Sequence, residues 1–391
     1  MKPMKPERYS IIVQASPEEV LQAPHPDALN LTTLKNWSSI QDVWVIMPDL
    51  EGAQEAKAKL ESWDFLGFVG DTYNVCQRIL EVQKHFPGQD FSVRVLAIWK
   101  HIDLDYVDRL VEKMQQHPCD LMATPRDFDL TLGADVASLK ALEIVGNLPG
   151  NSQEIMRAKF NPWGYIEMHP EMFQVEYLEP APVYTPEQCQ QILGDKRCHP
   201  ENEFFGRDYA GSRYHLIVES LSPGLRILDI ACGSGSGSAL LAEKAEFVLG
   251  VDYLEAYIKR AKERYPETER LKFMTGDGET FLYQGCEGQF DLVISLHTLE
   301  HVPDDQAMIK TLYRNLRPGG QLIAEVPLQS QRPLGVPINP YHLREYTKKQ
   351  FIELVELAGF EITQQIGSCR SFYGKPEQAR DAFQIHAIKP C

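Results

Sequence analysis

The stretch RILDIACGSGSGSALLAEKAEFVLGVDY, residues 226–253, constrains the fold more than any other part of this chain. It predicts a buried strand, then a glycine-rich turn, a helix and a second strand. Glycines let the backbone turn sharply and let a ligand approach without meeting a Cβ atom. The helix that follows presents unpaired N–H groups and the positive end of its dipole. This order predicts an α/β fold with a ligand-binding loop.

Two acidic residues accompany the loop. Asp229 lies four residues before Gly233, where it braces the loop or approaches an amino group of the ligand. Asp252 ends the second strand, nineteen residues after Gly233, where a carboxylate can accept both hydroxyls of a ribose. A dinucleotide fingerprint needs GxGxxG, but this loop reads GxGxG and position 238 is Ser. The pattern therefore favours S-adenosylmethionine, with a dinucleotide as the alternative.

The segments that follow continue the alternation of strands and helices. LKFMTGDGE predicts a third strand that ends at Asp277, a position suited to the adenine amino group. FDLVISLHTLEHV predicts a fourth strand that passes into 296–302 at the carboxyl edge, where open α/β sheets bind ligands. LYRNLRPGGQLIAEVP predicts a helix, a turn and a fifth strand. FEITQQI and FQIHAIK predict an antiparallel hairpin at the sheet edge.

On these motifs, residues 205–391 resemble the class I S-adenosylmethionine-dependent methyltransferases. DIACGSGSGS is similar to the family's first motif, with Ala231 where glycine is commoner, and PYHLREYTKKQFIELVELAGFEI resembles a subgroup found with glycan-biosynthesis proteins. The resemblance implies a seven-stranded Rossmann-like sheet and S-adenosylmethionine as cofactor. The cofactor contacts that we predict are Arg213, Asp229, Ala231, Gly233, Ser234, Gly235, Asp252, Tyr253, Asp277, Gly278, Leu296 and His297.

Methyl transfer is an in-line displacement, so the enzyme mainly aligns the acceptor with the methyl carbon. A hydroxyl acceptor must also lose a proton, and histidine suits that task near neutral pH. His301 and His342 are the candidate bases; the alternative for each is a structural hydrogen bond. Tyr341 and Arg344 are candidate substrate contacts, or they only close the loop over the pocket. Arg213 opens an RY pair that resembles one in the family and is a candidate for the cofactor carboxylate. We expect metal-independent transfer, because the sequence shows no metal-ligand cluster.

The first half of the chain has its own strands and helices. SIIVQA, VWVIMP, FLGFVG, VRVLAI and DLMAT predict short buried strands, with two amphipathic helices over 73–86 and 104–117. Such alternation is typical of a mostly parallel sheet with covered faces. We predict an N-terminal α/β domain over 1–185, a linker over 186–204 and the methyltransferase domain over 205–391.

The N-terminal half also faintly resembles sugar nucleotidyltransferases of the cytidylyltransferase type, with a GT-A-like fold. The resemblance rests on residues 68–105 and on LGADVASLKALE. That family grips its nucleotide with a basic loop, but SPEEVLQAPHP here has no basic residue, and Ile98 stands where the family has an aspartate for magnesium. Without these charges triphosphate chemistry loses its stabilisation. We therefore predict a catalytically silent domain that binds the acceptor, assists assembly or positions substrate.

The net charge and the composition of the chain limit the kinds of partner that it can bind. Lys and Arg total 39 against 55 Asp and Glu, a net charge of −16, which gives no general attraction to nucleic acid or to an anionic membrane. No apolar run has the length of a membrane span. The eight cysteines contain no CxxC pair; Cys189 and Cys198 come closest, and reduced thiols are favoured over a zinc site. We expect a cytoplasmic protein, with a homo-oligomer left open.

Several functions fit this sequence. The leading hypothesis is O-methylation of a sugar or glycan precursor. Methylation of another small molecule or of a peptide, at oxygen or nitrogen, is the alternative. Two further hypotheses remain. One is a bifunctional nucleotidyltransferase and methyltransferase, and the other is a protein that binds the cofactor but does not catalyse methyl transfer. Fold does not determine function, so the acceptor stays open at this point.

Overall fold

The structure is a computed structural model that describes residues 6–97, 99, 101–125, 132–150, 152–179, 213–328, 342–369 and 372–391. The chain divides into two compact units, Met1–Tyr184 and Thr185–Cys391. Four sequence-based expectations fall outside the described residues: the linker over 186–204, the interpretation of Ile98, the role of Tyr341, and the pair Cys189 and Cys198.

The first unit is built on a seven-stranded sheet. Its strands are β1 (Tyr9–Gln14), β2 (Ile40–Pro48), β3 (Leu66–Gly70), β4 (Phe91–Leu96), β5 (Leu121–Ala123), β6 (Asp135–Ser138) and β7 (Val175–Tyr177). Their order across the sheet is β3-β2-β1-β4-β6-β5-β7. β6 runs antiparallel to both of its neighbours, and the other pairings are parallel.

Helices α1 to α8 accompany this sheet: α1 (Pro17–Gln22), α2 (Leu31–Lys35), α3 (Ala53–Ser62), α4 (Val75–Gln83), α5 (Leu104–Gln116), α6 (Leu139–Gly146), α7 (Gln153–Phe160) and α8 (Pro162–Met168). The cap of α5 shows why it begins where it does: the Asp103 side chain accepts a hydrogen bond from the Tyr106 N–H. Leu104, Val107 and Leu110 then form a buried stripe at helical spacing.

The five strands and two helices predicted for this unit are present with shifted ends. Predicted strand SIIVQA corresponds to β1, for example, and the helix predicted over 104–117 to α5. β6 and β7 were not predicted as strands. They have only four and three residues, too few for a period-two pattern to be recognised.

The second unit is built on an eight-stranded sheet. Its strands are β8 (Arg226–Ile230), β9 (Phe247–Asp252), β10 (Leu271–Thr275), β11 (Phe290–Leu296), β12 (Leu316–Pro327), β13 (Glu361–Cys369), β14 (Phe372–Gly374) and β15 (Ala382–Ile388). The order is β10-β9-β8-β11-β12-β15-β13-β14. The first five strands are mutually parallel, and β15, β13 and β14 add antiparallel pairings. This is the Rossmann-like α/β sheet that the sequence predicts.

Five α-helices among the described residues accompany this sheet: α9 (Arg213–Ser220), α10 (Ser236–Leu241), α11 (Glu255–Arg264), α12 (Asp305–Asn315) and α13 (Lys348–Leu357). Two buried apolar clusters form the core. One contains Leu249, Val293, Leu312 and Phe383, and the other contains Ile227, Val248 and Phe273. Parallel strands that are buried on both faces explain the continuous apolar runs of β8, β9 and β11.

Two sequence-based expectations for this unit need correction. The sheet has eight strands rather than seven, because Phe372–Gly374 pairs with the end of β13. Three residues carry too little pattern to be predicted as a strand. β12 also begins at Leu316 and runs through the Pro-Gly-Gly sequence that was predicted as a turn.

None of the helices in the described ranges combines the length and the apolar character needed to cross a membrane.

Candidate functional site

The glycine loop joins β8 to α10 at the carboxyl edge of the second sheet. Ala231, Gly233 and Gly235 have φ angles of +60°, +56° and +86°, the left-handed conformation that favours glycine. These alternating left-handed residues fold the loop tightly above the start of α10. Position 231 is where the methyltransferase family more often has glycine. Ala231 adopts a left-handed conformation there, which glycine would adopt without strain.

Asp252 fastens this loop to the neighbouring strand. One carboxylate oxygen accepts the Gly233 N–H at 3.0 Å, and the other accepts the Leu254 N–H at 2.9 Å. The side chain is largely buried, and burial raises the pKa of Asp252 although both hydrogen bonds lower it. A carboxylate has about four acceptor positions, so two remain for ligand hydroxyls. The contact of Asp252 with a ribose stays a prediction.

Asp229 has a different environment. It is fully buried, and its two oxygens accept hydrogen bonds from the Tyr214 hydroxyl at 2.8 Å and from Ser238 Oγ at 2.5 Å. Burial raises the pKa of Asp229 to about 6, against the lowering effect of these two donors. Of the two roles considered for Asp229, this geometry favours bracing the loop, and direct contact with a cofactor stays a prediction.

The residues predicted to contact the adenosine lie along the open edge beside the loop. Tyr253 is 72% exposed, and Asp277 is exposed just after β10, where its carboxylate accepts the Glu279 N–H. Gly278 lies over Met308, and a Cβ atom there would come within 2.6 Å of the Met308 sulfur. Ser234 is buried inside the loop. These residues follow neighbouring strands at one sheet edge, and their contacts with a cofactor stay predictions.

The residues present fit S-adenosylmethionine as the ligand of this loop. The fit is tested by the donors and acceptors that the site offers. Asp252 is a buried carboxylate with two acceptor positions left, and Asp277 is an exposed carboxylate one strand further. Between β8 and α10, the loop of left-handed residues leads into the helix. Each group matches a polar part of that cofactor, namely the ribose hydroxyls, the methionine carboxylate and the adenine amine.

A second cluster is centred on Glu325, which sequence reasoning missed. Its carboxylate is fully buried in β12. It contacts Arg213 Nε at 2.8 Å and His297 Nε2 at 2.9 Å, and it accepts hydrogen bonds from Tyr373 and Gln384. Burial alone would raise the pKa of Glu325, but Arg213 and His297 lower it to about 2. Glu325 therefore holds Arg213 in place at the ligand edge.

His297 follows Leu296 at the end of β11 and adopts a φ of +53°, which is uncommon for a residue other than glycine. Burial and Arg213 lower the pKa of His297, but Glu300 and Glu325 outweigh them and raise it. Leu296 is buried beneath this turn. The left-handed conformation of His297 therefore separates the end of β11 from the segment that contains Glu300 and His301.

A third cluster contains both candidate bases. The rings of His301 and His342 are in edge-to-face contact, with centroids 4.8 Å apart, although they lie 41 positions apart in the sequence. His301 Nε2 lies 3.8 Å from Glu300 Oε1, and His342 Nδ1 lies 3.3 Å from Glu345 Oε1. The two histidines that the sequence analysis considered separately therefore belong to one site. One ligand atom from each of Glu300, His301 and His342 lies within 4.8 Å of the others, a grouping that the sequence does not show. The expectation of metal-independent transfer stays a prediction.

Residues 343–346 hold His342 in this cluster. The N–H groups of Leu343 and Arg344 donate to the Glu300 carbonyl, and the Arg344 guanidinium donates to backbone carbonyls of Leu299, Val302 and Pro303. These bonds favour the structural alternative for Arg344. Its role in binding substrate stays a prediction.

The sequence contained a weak signal for the residues that were missed. Glu325 stands near the end of the predicted fifth strand, and strand ends at the carboxyl edge are where functional side chains gather. Tyr373 lies in β14, which was not predicted. Its contact with Glu325 depends on pairing between distant segments, so local pattern contains no signal for it.

Comparisons with known proteins agree with this geometry. Residues 228–324 match the family described as "Methyltransferase domain". A "Probable S-adenosylmethionine-dependent methyltransferase" from Mycolicibacterium smegmatis is 30% identical over 41% of this chain and 62% of its own length. A "Ubiquinone biosynthesis O-methyltransferase" from Pseudomonas entomophila is 34% identical over 28% of this chain and 48% of its own length. The chain thus spans less than two thirds of either relative.

A solved structure of an S-adenosylmethionine-dependent methyltransferase from Methanosarcina mazei is 22% identical, with a TM-score of 0.37, over 45% of this chain and 97% of that one. This likeness is too low to bear on function. The family model thus matches a methyltransferase domain over residues 228–324 of the second unit, and the first of these relatives is named as S-adenosylmethionine-dependent.

Proposed function

We propose that this chain is an S-adenosylmethionine-dependent methyltransferase that methylates a hydroxyl group of a sugar or glycan precursor. One observation carries the proposal: the glycine loop with Asp252 and the cluster around His301 follow neighbouring parallel strands. β8 pairs with β9 on one side and with β11 on the other. Cofactor and acceptor would therefore meet at one carboxyl edge. When bound, S-adenosylmethionine supplies an electrophilic methyl group.

The residues of the loop bind and orient the cofactor in this proposal. Asp252 accepts the ribose hydroxyls through its remaining acceptor positions, and Asp277 accepts from the adenine amine. Backbone N–H groups at the start of α10 face the methionine carboxylate, where the helix dipole favours negative charge. Arg213 adds a cation there, and Glu325 fixes its position. Asp229 acts indirectly, by holding Ser238 and Tyr214 beneath the loop.

Removal of the hydroxyl proton is assigned to His301 and His342. An imidazole is the side chain whose ordinary pKa suits proton transfer near pH 7. Glu345 lies beside Nδ1 of His342 and orients that ring. The edge-to-face contact between the rings keeps both on the same side of the site.

Two observations support a sugar acceptor: the resemblance of residues 340–362 to a glycan-associated subgroup, and the presence of an α/β first unit with a seven-stranded sheet. We propose that this unit is nucleotidyltransferase-like and catalytically silent, and that it binds or positions the acceptor. A phenolic acceptor is the second candidate, because a relative at 34% identity is named as a ubiquinone biosynthesis O-methyltransferase.

The first test is calorimetric titration of S-adenosylhomocysteine into the wild type and the Asp252→Ala variant. Loss of a hydrogen bond to a charged group costs about 1.5–3 kcal/mol, so binding should weaken by roughly 10- to 150-fold. Asp252→Asn keeps an acceptor oxygen for the loop and separates loss of binding from loss of fold. Glu263→Ala, an exposed carboxylate on α11, is the matched control and should bind like the wild type.

Acceptor screening follows with labelled cofactor, nucleotide sugars in one set and catechols in another. Transfer to nucleotide sugars supports the leading proposal, and transfer to catechols alone supports the second candidate. If the wild type binds NADH but no S-adenosylhomocysteine, the loop is a dinucleotide site and the proposal is wrong.

A further inference from the structure

We propose that Glu300, His301 and His342 bind a divalent transition-metal ion, and that this ion holds and activates the acceptor hydroxyl. The second part of this statement rests on the proposed function, whereas the metal site itself does not. In this proposal the two imidazoles act as ligands, and the ion performs the task for which the sequence predicts a histidine base.

The first observation is the approach of the three donor groups. One ligand atom from each of Glu300, His301 and His342 lies within 4.8 Å of the other two. Metal–nitrogen and metal–oxygen bonds of about 2.1 Å place two ligand atoms at most about 4.2 Å apart. The widest pair must therefore close by roughly half an ångström or more, which small side-chain rotations can provide. The residues come from two segments that only the fold brings together.

The second observation is independent of the first and concerns the Glu300 carboxylate. Glu300 is fully buried, yet neither carboxylate oxygen accepts a hydrogen bond from any residue in the part of the chain that the structure describes. The imidazole nitrogens beside it are His297 Nδ1 at 3.5 Å and His301 Nε2 at 3.8 Å, both beyond good hydrogen-bond distance. His297 favours the charged form of Glu300, but a buried carboxylate without a close donor is still costly, and coordination of a cation would satisfy its oxygens directly.

Neighbouring groups position His342, as residues behind the ligands do in metalloproteins. Histidine ligands usually have one ring nitrogen on a carboxylate or carbonyl, so that the other nitrogen faces the metal. Glu345 Oε1 occupies that position 3.3 Å from His342 Nδ1. The Glu300 carbonyl accepts the Leu343 N–H at 2.8 Å, which ties the segment of His342 directly to Glu300.

The donor set indicates the kind of ion. Two imidazoles and one carboxylate suit Zn²⁺, Mn²⁺, Co²⁺ or Fe²⁺, whereas Mg²⁺ and Ca²⁺ prefer oxygen ligands. Three protein ligands leave coordination positions open for the acceptor. A bound ion lowers the pKa of a coordinated hydroxyl. The O–H bond breaks, the proton passes to solvent water, and the oxygen remains on the ion as an oxyanion that can attack the methyl carbon.

The test is Co²⁺ titration of tag-free, chelator-treated full-length protein, followed by visible absorption and calorimetry, with neither cofactor nor acceptor present. We expect one Co²⁺ per chain, with absorption bands that Zn²⁺ displaces. Glu300→Gln, His301→Ala and His342→Ala should each weaken binding by more than about 100-fold, and Glu345→Gln by about 10- to 100-fold. His117→Ala, an exposed histidine of the first unit, is the control and should leave binding unchanged.

S-adenosylhomocysteine binding by each variant shows whether its fold is retained, and His342→Gln replaces any alanine variant that does not fold. Loss of Co²⁺ with retained S-adenosylhomocysteine binding supports the site. Equal Co²⁺ affinity in the wild type and all three ligand variants would falsify it, as would the absence of stoichiometric binding by the wild type. If Co²⁺ binds as expected but no acceptor is methylated, the metal site stands and the proposed function fails.

Discussion

At the scale of single residues, the loop shows that glycines of one motif serve different purposes. Gly233 and Gly235 adopt left-handed conformations, as a turn residue does. Gly237 has no such conformation; it lies against the Tyr214 ring, and a Cβ atom there would come within 2.3 Å of Tyr214 Cζ. The ring that donates its hydroxyl to Asp229 therefore requires a residue without a side chain at position 237.

Gly237→Ala should destabilise the protein, because the added methyl group has no space beside Tyr214. Overpacking of this kind costs about 1–3 kcal/mol, which thermal or urea unfolding measures. The same substitution in a Tyr214→Ala background should cost much less, since contacting residues are not additive. An equal cost in both backgrounds would show that the tyrosine is not the reason for the glycine.

Ala231→Gly should be neutral or slightly stabilising, in contrast to most alanine-to-glycine changes. The left-handed conformation costs alanine about 1–2 kcal/mol, and glycine loses about 0.5–1 kcal/mol in chain entropy. Ala231→Val should be clearly destabilising, because a β-branched residue tolerates a positive φ angle poorly. Urea unfolding of both variants measures the difference; a destabilised glycine variant would contradict this account.

At the scale of secondary-structure elements, Glu325 connects five of them. Its carboxylate in β12 contacts Arg213 of α9, His297 after β11, Tyr373 of β14 and Gln384 of β15. A buried carboxylate with two cationic neighbours and two neutral donors is well compensated. The antiparallel edge of the sheet is thereby joined to the helix that lies before the cofactor loop.

This network predicts how stability depends on pH. The pKa of Glu325 is lowered to about 2 from an ordinary value near 4.5, so the unfolded chain takes up this proton first. The stabilisation is complete above about pH 5 and is lost as pH falls from about 4.5 towards 2. Glu325→Gln should lower the free energy of unfolding by about 3–5 kcal/mol at pH 7. The variant should also lose less stability than the wild type between pH 5 and 3, because it lacks the titrating carboxyl group. Unfolding in urea across this pH range measures both effects; parallel curves for the two proteins would contradict the assignment.

At the scale of the whole molecule, the chain consists of two compact units, each with its own sheet. All residues of the loop, of the Glu325 network and of the Glu300 cluster lie in the second unit. Both apolar clusters that support these residues also lie there. A unit with its own core and its own site has what independent folding requires.

Residues 205–391 expressed alone should therefore fold and bind S-adenosylhomocysteine with an affinity within about threefold of the full chain. Calorimetry of the two proteins under identical conditions measures this. The methyl-transfer rate on a sugar acceptor should fall in the shorter protein if the first unit positions the acceptor, as we propose. Weak S-adenosylhomocysteine binding by the shorter, folded protein would show that the first unit contributes to the cofactor site.

The sequence by itself determined the parts of this protein that are local along the chain. The strand, loop, helix and strand of residues 226–253 form one continuous segment, so their glycine spacing and the carboxylates of Asp229 and Asp252 predict both the fold and the cofactor class. Most of the other strands were predicted for the same reason, because an apolar run is visible in the local sequence. The short strands β6, β7 and β14 were not predicted.

Only the tertiary structure decided which distant side chains meet. His301 and His342 are separate candidates in the sequence, and the hydrogen bonds of residues 343–344 to Glu300 bring them together. Glu325 was not predicted because its partners lie on α9, β11, β14 and β15. Sequence patterns record which face of an element is buried, whereas a site depends on the angles and registers with which several elements pack.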